Sequence, residues 1–394
     1  MKPCLPILAV SCLTVSLTSW AQTGAPPSVP PAGIVNVFRT TNTSSNRYTD
    51  APNAATQSWL QTHFWGMLTY SPYFDTRLSW YPNGFAYIDS YAIYTSSPIV
   101  TQHPEWILKD AQGNYLYIPW GCSNGTCPQY AADFSNQAFC QWWIGQAQSL
   151  VAIGYAGLFV DDVNMDFRVG DGTGASVVPF DVNTGAPMIE ENWRYYLAQF
   201  MSQVRAAFPN TAIIQNSIWY AGPPGIADQD PNIQTQIAAA TYLNIEFGVN
   251  DPSLTGGNGQ WSLNSLLGYI DRLHAVGKGA ILGGVPSGLA GEEYAVANYY
   301  LISTGQDAIG SLVTTPANWW NGFGVNLGVP LGPRSNWNGL LRRDYSGGMV
   351  LVNPPQSSVI TVSLPGTYQS IDTGLQVTSV TLGPAQGALL LSVQ

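Results

Sequence analysis

Eight short apolar runs recur along this chain, at 34–38, 64–68, 85–91, 157–161, 212–216, 242–246, 279–283 and 308–313. The later ones are separated by segments of helical period. Residues 189–208 place Trp193, Tyr196, Leu197, Phe200 and Val204 near a 3.6-residue repeat, and 262–276 do so with Leu263, Leu266, Leu267, Ile270 and Leu273. Gly277 stops the second of these, and 294–302 is a third helical pattern. Eight strands alternating with helices over about 290 residues fit an α/β (β/α)8 TIM barrel better than a doubly wound sheet. No glycine fingerprint follows the first strand, and Gly170, Gly172 and Gly174 follow no strand directly, so they read as loop residues.

After residue 335 the pattern changes. Runs at 340–345, 349–352, 359–364, 377–382 and 388–393 are separated by Gly, Pro and Ser turns, with no helical segment between them. This predicts a barrel over 22–335 and a small C-terminal antiparallel β-domain, sandwich-like, over 336–394. The first 21 residues have the form of a signal peptide. Lys2 is the basic element, 5–20 the apolar one, and Ser19-Trp20-Ala21 a small-x-small cleavage site. Export is therefore expected. No later segment approaches the ~20 apolar residues of a membrane span.

Charge narrows the partners. Net charge is −10, and the longest basic run is Arg342-Arg343, which argues against nucleic acid and anionic membrane surfaces. Removal of a signal peptide takes Cys4 and Cys12 and leaves Cys122, Cys127 and Cys140. Cys122 and Cys127 flank a flexible turn that could close as a disulfide in an oxidising compartment. Cys140, among Phe139, Trp142 and Trp143, reads as a buried thiol. Only three His are present, at 63, 103 and 274, far apart in sequence. Neither a His-based metal site nor a Ser-His-Asp triad is expected, nor any cofactor. Asp162-x-Asn164-x-Asp166 begins like a calcium loop, but Phe167 and Thr173 stand where Gly and Glu are needed.

The chemistry is expected at the strand ends, because barrels carry their active sites at the carboxyl-terminal rim. The fourth run ends in Asp161-Asp162, the fifth in Gln215-Asn216 and the sixth in Glu246. Two carboxylates facing each other across a rim can serve as nucleophile and acid/base at a glycosidic bond. Strand alternation puts Asp161 on the face of Phe159 and Asp162 on that of Val160. Asp161 is accordingly the nucleophile candidate, and Asp162 a supporting group or a cap for the next segment. Glu246 is the candidate acid/base, its apolar neighbours Ile245, Phe247 and Val249 favouring a raised pKa. Asn216 would hold a sugar hydroxyl or orient a carboxylate. Asp133 is the reserve acid, its alternative role being an N-cap to a helix starting near Asn136.

The aromatic load points to a carbohydrate. The chain has 14 Trp and 21 Tyr, and Tyr70, Tyr73, Trp80, Trp106, Trp120, Trp219, Trp261, Trp319 and Trp320 fall in expected rim loops. Trp65, Tyr70, Trp106, Trp219 and Trp261 are candidate sugar platforms, since flat rings stack on the apolar faces of pyranoses.

His103-Pro-Glu-Trp106-Ile-Leu-Lys-Asp-Ala-Gln-Gly113-Asn, Ala132-Asp133-Phe-Ser-Asn136, Trp142-Trp143 and the run 154–162 occur in an order that carries a resemblance. The chain resembles the glycoside-hydrolase superfamily of (β/α)8 barrels related to endo-α-1,4-polygalactosaminidases and, more distantly, α-amylase-like enzymes. The resemblance implies a catalytic Asp at Asp161 and matches Asn216 and Glu246 at the ends of strands five and six. The segment Arg343 to Pro354 is similar to the β-domain that follows such barrels. The chain departs from the α-amylase pattern at Phe159, where Arg is wanted, and at 283–286, where a His-Asp pair is wanted. Amylase activity is therefore not expected. The reading is a secreted hydrolase of polysaccharide or oligosaccharide. The alternative is a barrel that binds glycan without cleaving it.

Overall fold

A computed structural model describes residues 33–40, 46–220, 227–312 and 314–393. The expected signal peptide, with Cys4 and Cys12, lies outside them. The described chain opens with β1 (Val37–Arg39), α1 (Asn46–Thr49), α2 (Ala54–His63), β2 (Gly66–Thr69) and β3 (Gly84–Asp89). A long excursion follows, with β4 (Ala92–Tyr94), α3 (Ile99–Gln102) and β5 (Gln129–Ala131), before α4 (Gln137–Ile153) and β6 (Gly157–Asp161). A hairpin, β7 (Phe180–Asp181) and β8 (Ala186–Pro187), precedes α5 (Glu190–Ala207) and β9 (Ala212–Asn216). Then come α6 (Pro231–Ala239), β10 (Tyr242–Ile245), α7 (Leu263–Ala275), β11 (Gly279–Leu282), α8 (Leu289–Ile302) and β12 (Ala308–Ser311).

All eight expected barrel strands form, and they close in the order β1-β12-β11-β10-β9-β6-β3-β2, every pair parallel. Phe38, Leu68, Phe85, Phe159, Ile214 and Ile281 fill the barrel interior. The alternate residues, among them Val37, Val160, Ile213 and Leu243, face the helical layer. Such two-sided burial is why the strands read as continuous hydrophobe. Gly157 lets β6 approach its neighbours, since a Cβ there would stand 2.4 Å from the Ala212 carbonyl oxygen.

The helices follow their sequence signals. On α7, Leu263, Leu266, Leu267, Ile270 and Leu273 are buried, and Ser262 Oγ accepts from the Ser265 amide at 3.2 Å. Gly277, at φ +72°, takes the chain out of the helix. Every residue of α8 from Glu292 to Ile302 is buried. A helix buried all round needs cover on both sides. The barrel supplies one side and the C-terminal domain the other.

That domain comprises β13 (Ser335–Trp337), β14 (Leu340–Tyr345), β15 (Gly348–Asn353), β16 (Ile360–Ser370), β17 (Gln376–Leu382) and β18 (Gln386–Ser392). The six strands hydrogen-bond as one antiparallel sheet, β13-β14-β15-β18-β16-β17, rather than as two separate sheets. Leu340, Met349, Leu351, Val362, Leu382 and Leu390 form its own core. It is fastened to α8 by polar contacts. Tyr345 donates to the Tyr300 carbonyl at 2.6 Å, Arg343 to the Ser303 carbonyl at 2.9 Å, and the Leu389 amide to Glu293 Oε1 at 3.0 Å.

Among the described residues, no helix is long and apolar enough to cross a membrane. Cys122 and Cys127 are joined as a disulfide in the β4–β5 excursion. Cys140 is buried on α4, its thiol donating to the Phe134 carbonyl, and burial pushes its pKa up to about 12.

Candidate active site

The β6 strand ends as its alternation requires. Phe159 packs inside the barrel and Val160 outside, so Asp161 projects toward the axis at the carboxyl-terminal mouth. Asp161 accepts three hydrogen bonds. Tyr87 OH donates to Oδ2 at 2.8 Å, while Asn216 Nδ2 and the Asp162 amide donate to Oδ1 at 2.7 and 2.8 Å. Tyr87 comes from β3, two residues before the strand end, and Asn216 closes β9. Both neighbours of β6 in the barrel therefore orient this one carboxylate.

Asn216 is itself held. Its Oδ1 accepts from Asn244 Nδ2 on β10 at 2.7 Å, which fixes the amide with its nitrogen toward the acids. Glu246, the residue immediately after β10, lies within electrostatic reach of Asp161, Arg168, Asp162 and the Asn216 amide. Crowding raises the Glu246 pKa, and the negative charge of Asp161 raises it further. Arg168 and the Asn216 amide oppose the rise. Glu246 is exposed at the mouth, next to exposed Phe247.

Asp162 turns away from the axis in a left-handed conformation, φ +53°. Its Oδ1 accepts from Asn164 Nδ2 at 2.9 Å, so it caps no helix. Burial and then Asp161 raise its pKa, against the pull of Arg168. Next to it lies a carboxylate that the strand pattern did not single out. Asp89 closes β3 in register with Asp161, and its Oδ1 accepts from the Tyr91 and Ala92 amides at 2.9 and 2.8 Å. Burial, then Asp162 and Asp161, hold its pKa well above the usual carboxylate range. Reading residues 85–91 as a strand to Tyr91 hid this acid inside the run, although the strand stops at Asp89.

The aromatic candidates divide. Tyr70 is 43% exposed, its ring 4.9 Å from that of Tyr87, and Asp161 and Tyr94 are among its electrostatic neighbours. Trp219 and Trp261 meet edge to face at 5.3 Å in the loops after β9 and β10. Trp219 is buried and Trp261 exposed. Trp65 stands elsewhere. It precedes β2, so it lies at the amino-terminal mouth, against Phe38, Phe85 and Tyr242. Trp106 is buried in the excursion, stacked on His103 at 3.9 Å and packed against Phe139 and Trp142.

Asp133 is also apart from the four acids. It is buried on the far side of the Tyr91–Phe134–Trp193 aromatic cluster, accepts from the Ser135 amide, and lines a separate cleft of about 660 Å³ with Glu105, Lys109 and Asn183. Burial raises its pKa. It does not cap α4. That role belongs to Asn136, whose Oδ1 accepts from the Ala138 and Phe139 amides.

Residues 55–234 match the model of a family described as hypothetical glycosyl hydrolase family 15. The match covers a little under half of the chain and includes Asp89, Asp161 and Asn216, while Glu246 lies beyond it. A comparison with curated proteins finds no match. Among solved structures, the glycoside hydrolase domain of PelA from Pseudomonas aeruginosa is 15% identical, with 72% of this chain and 96% of that one covered and a TM-score of 0.37. An α-amylase from Lactobacillus plantarum is 15% identical over 81% of this chain and 80% of that one, with a TM-score of 0.40. The noncanonic maltogenic α-amylase AmyB from Thermotoga neapolitana is 10% identical over 92% and 99%, with a TM-score of 0.46. These likenesses are too loose to carry residue roles. Residues 55–234 thus resemble a glycosyl hydrolase family, and the chain folds as the expected (β/α)8 barrel.

Proposed function

We propose that the protein is an exported glycoside hydrolase that cleaves a polysaccharide with Asp161 as nucleophile and Glu246 as acid/base. One observation carries the reading. Asp161, oriented by Tyr87 and Asn216, shares the mouth with Glu246, whose pKa it raises, and the two carboxyls are set in unlike surroundings. Asp161 only accepts hydrogen bonds, which suits a carboxylate poised to attack. Glu246 has its pKa raised by crowding and by Asp161, which suits a group that must hold a proton before the reaction.

With Asp161 as nucleophile the reaction retains configuration, a route that asks for carboxyls about 5–5.5 Å apart, against about 6.5–9.5 Å in an inverting enzyme. In the first step Asp161 bonds to the anomeric carbon while Glu246 gives its proton to the departing glycosidic oxygen. In the second, Glu246 takes a proton from water, whose oxygen displaces Asp161 and restores the free carboxylate. Tyr70, Tyr94 and Trp261 offer exposed rings around the mouth for pyranose faces.

The test is reducing-end release from α- and β-linked polysaccharides, amino-sugar polymers included, with the anomer of the first product read by NMR. Net retention on any polymer supports the proposal. Inversion would assign Asp161 to base catalysis instead. Binding without turnover on every polymer would favour a glycan-binding barrel.

A further inference from the structure

Arg39 ends β1 and, because Phe38 points into the barrel, projects into the layer between barrel and helices. Its side chain is 2% exposed. Nη1 donates to the Ser311 carbonyl at 3.2 Å, but Nη2, fully buried, finds no hydrogen-bond partner among the described residues. None of the ion pairs among the described residues includes Arg39. That absence covers every Asp and Glu of the chain, since all 23 lie within the described residues. The guanidinium borders a cavity of about 20 Å³ shared with Tyr48, Thr49, Tyr73, Thr314 and Thr315.

A buried cation without a counter-charge is costly, and a guanidinium does not escape the cost by releasing its proton at neutral pH. Burial pulls the Arg39 pKa down only to about 10, so the charge remains. A cavity of this size admits one small occupant. Tyr48 OH accepts from Arg47 at 2.7 Å, which leaves its own proton free to donate. The wall offers apolar carbon from Leu60, Phe64 and Met67 beside these donors, a lining that suits a weakly hydrated monovalent ion.

We propose that this cavity is a binding site for a small inorganic anion of halide size, held by Arg39 Nη2 and the Tyr48 hydroxyl. The occupant neutralises the guanidinium and ties the end of β1 to Tyr73–Phe74 and to 314–316. Phe74 donates its amide to the Tyr70 carbonyl at 2.9 Å, so the site braces the segment that carries Tyr70. The inference is independent of the glycosidase reading.

The experiment uses the full chain, freed of halide by dialysis into gluconate buffer. Chloride is titrated in at constant ionic strength while Tm is followed, for the parent, Tyr48→Phe and Arg39→Met. The parent is expected to gain ~1–3 °C in a saturable manner, as for any ligand that binds only the native state. Tyr48→Phe should need several-fold more chloride, and Arg39→Met should not respond. Crystals of the parent soaked in bromide should show an anomalous peak within hydrogen-bond reach of Arg39 Nη2. A chloride response equal in Arg39→Met overturns the site. So does density at Nη2 that refines as water with no anomalous signal, and this second reading stands even if Arg39→Met fails to fold.

Discussion

The side-chain amide of Asn216 donates to Asp161 Oδ1 at 2.7 Å while its own oxygen accepts from Asn244 at the same distance. Three consecutive barrel strands, β6, β9 and β10, are thereby joined through side chains at their carboxyl ends. The same amide lowers the Glu246 pKa, so a single neutral residue orients Asp161 and acts on its proposed partner. A charged residue in its place would drive the protonation states of both acids, whereas an amide orients them without adding charge.

Replacing Asn216 with Ala should therefore lower kcat by ~10²-fold, the scale of losing one preorganised donor in an active site. Its amide is among the influences that lower the Glu246 pKa. Its loss should move the alkaline limb of the kcat/KM profile to higher pH, because Glu246 must be protonated to act. A pH profile of the variant beside the parent reads both effects, and an unmoved limb would contradict the influence of Asn216 on Glu246.

Tyr87 tests the opposite oxygen of the same carboxylate. Its ring packs inside the barrel against Phe159, centroids 6.4 Å apart, so Tyr87→Phe keeps the packing and removes only the donor to Oδ2. A hydrogen bond to a charged group contributes ~1.5–3 kcal/mol, which predicts a 10- to 100-fold fall in kcat with little change in Tm. Steady-state kinetics with thermal melts would check it.

Trp261 is the exposed member of the Trp219–Trp261 pair. If it carries a sugar ring, Trp261→Ala should raise KM by ~3–10-fold and leave kcat nearly unchanged, corresponding to ~0.5–1.5 kcal/mol of aromatic contact. A change confined to kcat would place the ring elsewhere in the reaction.

Glu293 predicts a pH dependence of stability rather than of turnover. Burial on α8 raises its pKa to about 7, although the Leu389 amide donates to it. A carboxyl raised on folding stabilises fully below its unfolded pKa, near 4.5, and loses that contribution as pH climbs through about 7. Glu293→Gln keeps the acceptor for Leu389 and abolishes the titration. Its unfolding free energy should exceed the parent's above pH 7, by an amount on the order of 2 kcal/mol, with a correspondingly higher Tm, and the difference should vanish near pH 4. Melts at both pH values decide it.

How much of this was legible in the sequence depended on where each residue sits on its strand. Asp161, Asn216 and Glu246 follow runs too apolar to be anything but buried strands, and their polar ends mark the rim without further information. Asp89 and Tyr87 share one strand in which polar and apolar residues mix, so its end was placed two residues late and the acid was read as interior. Asn244 was hidden for a different reason: it lies inside β10, and only the barrel's closure turns it toward Asn216. Trp65 shows the reverse error. It is a candidate sugar platform inside the expected run 64–68, yet β2 begins only at Gly66, which leaves Trp65 at the amino-terminal mouth. Trp106 carried no such signal, since burial in the excursion depends on contacts with α4. Helix α2, with Thr56, Gln57, Ser58 and Gln61 among its residues, lacks a strong apolar stripe and was not anticipated.

The most direct measurement compares turnover by the parent, Asp161→Asn and Glu246→Gln on whichever polysaccharide the parent cleaves. Circular dichroism and Tm would confirm that all three are folded. Loss of at least ~10³-fold in both variants is the predicted result, as removal of either member of a nucleophile and acid/base pair demands. Parental turnover in either variant would contradict the account and move the chemistry to another acid of the rim, with Asp89 and Asp162 next in line.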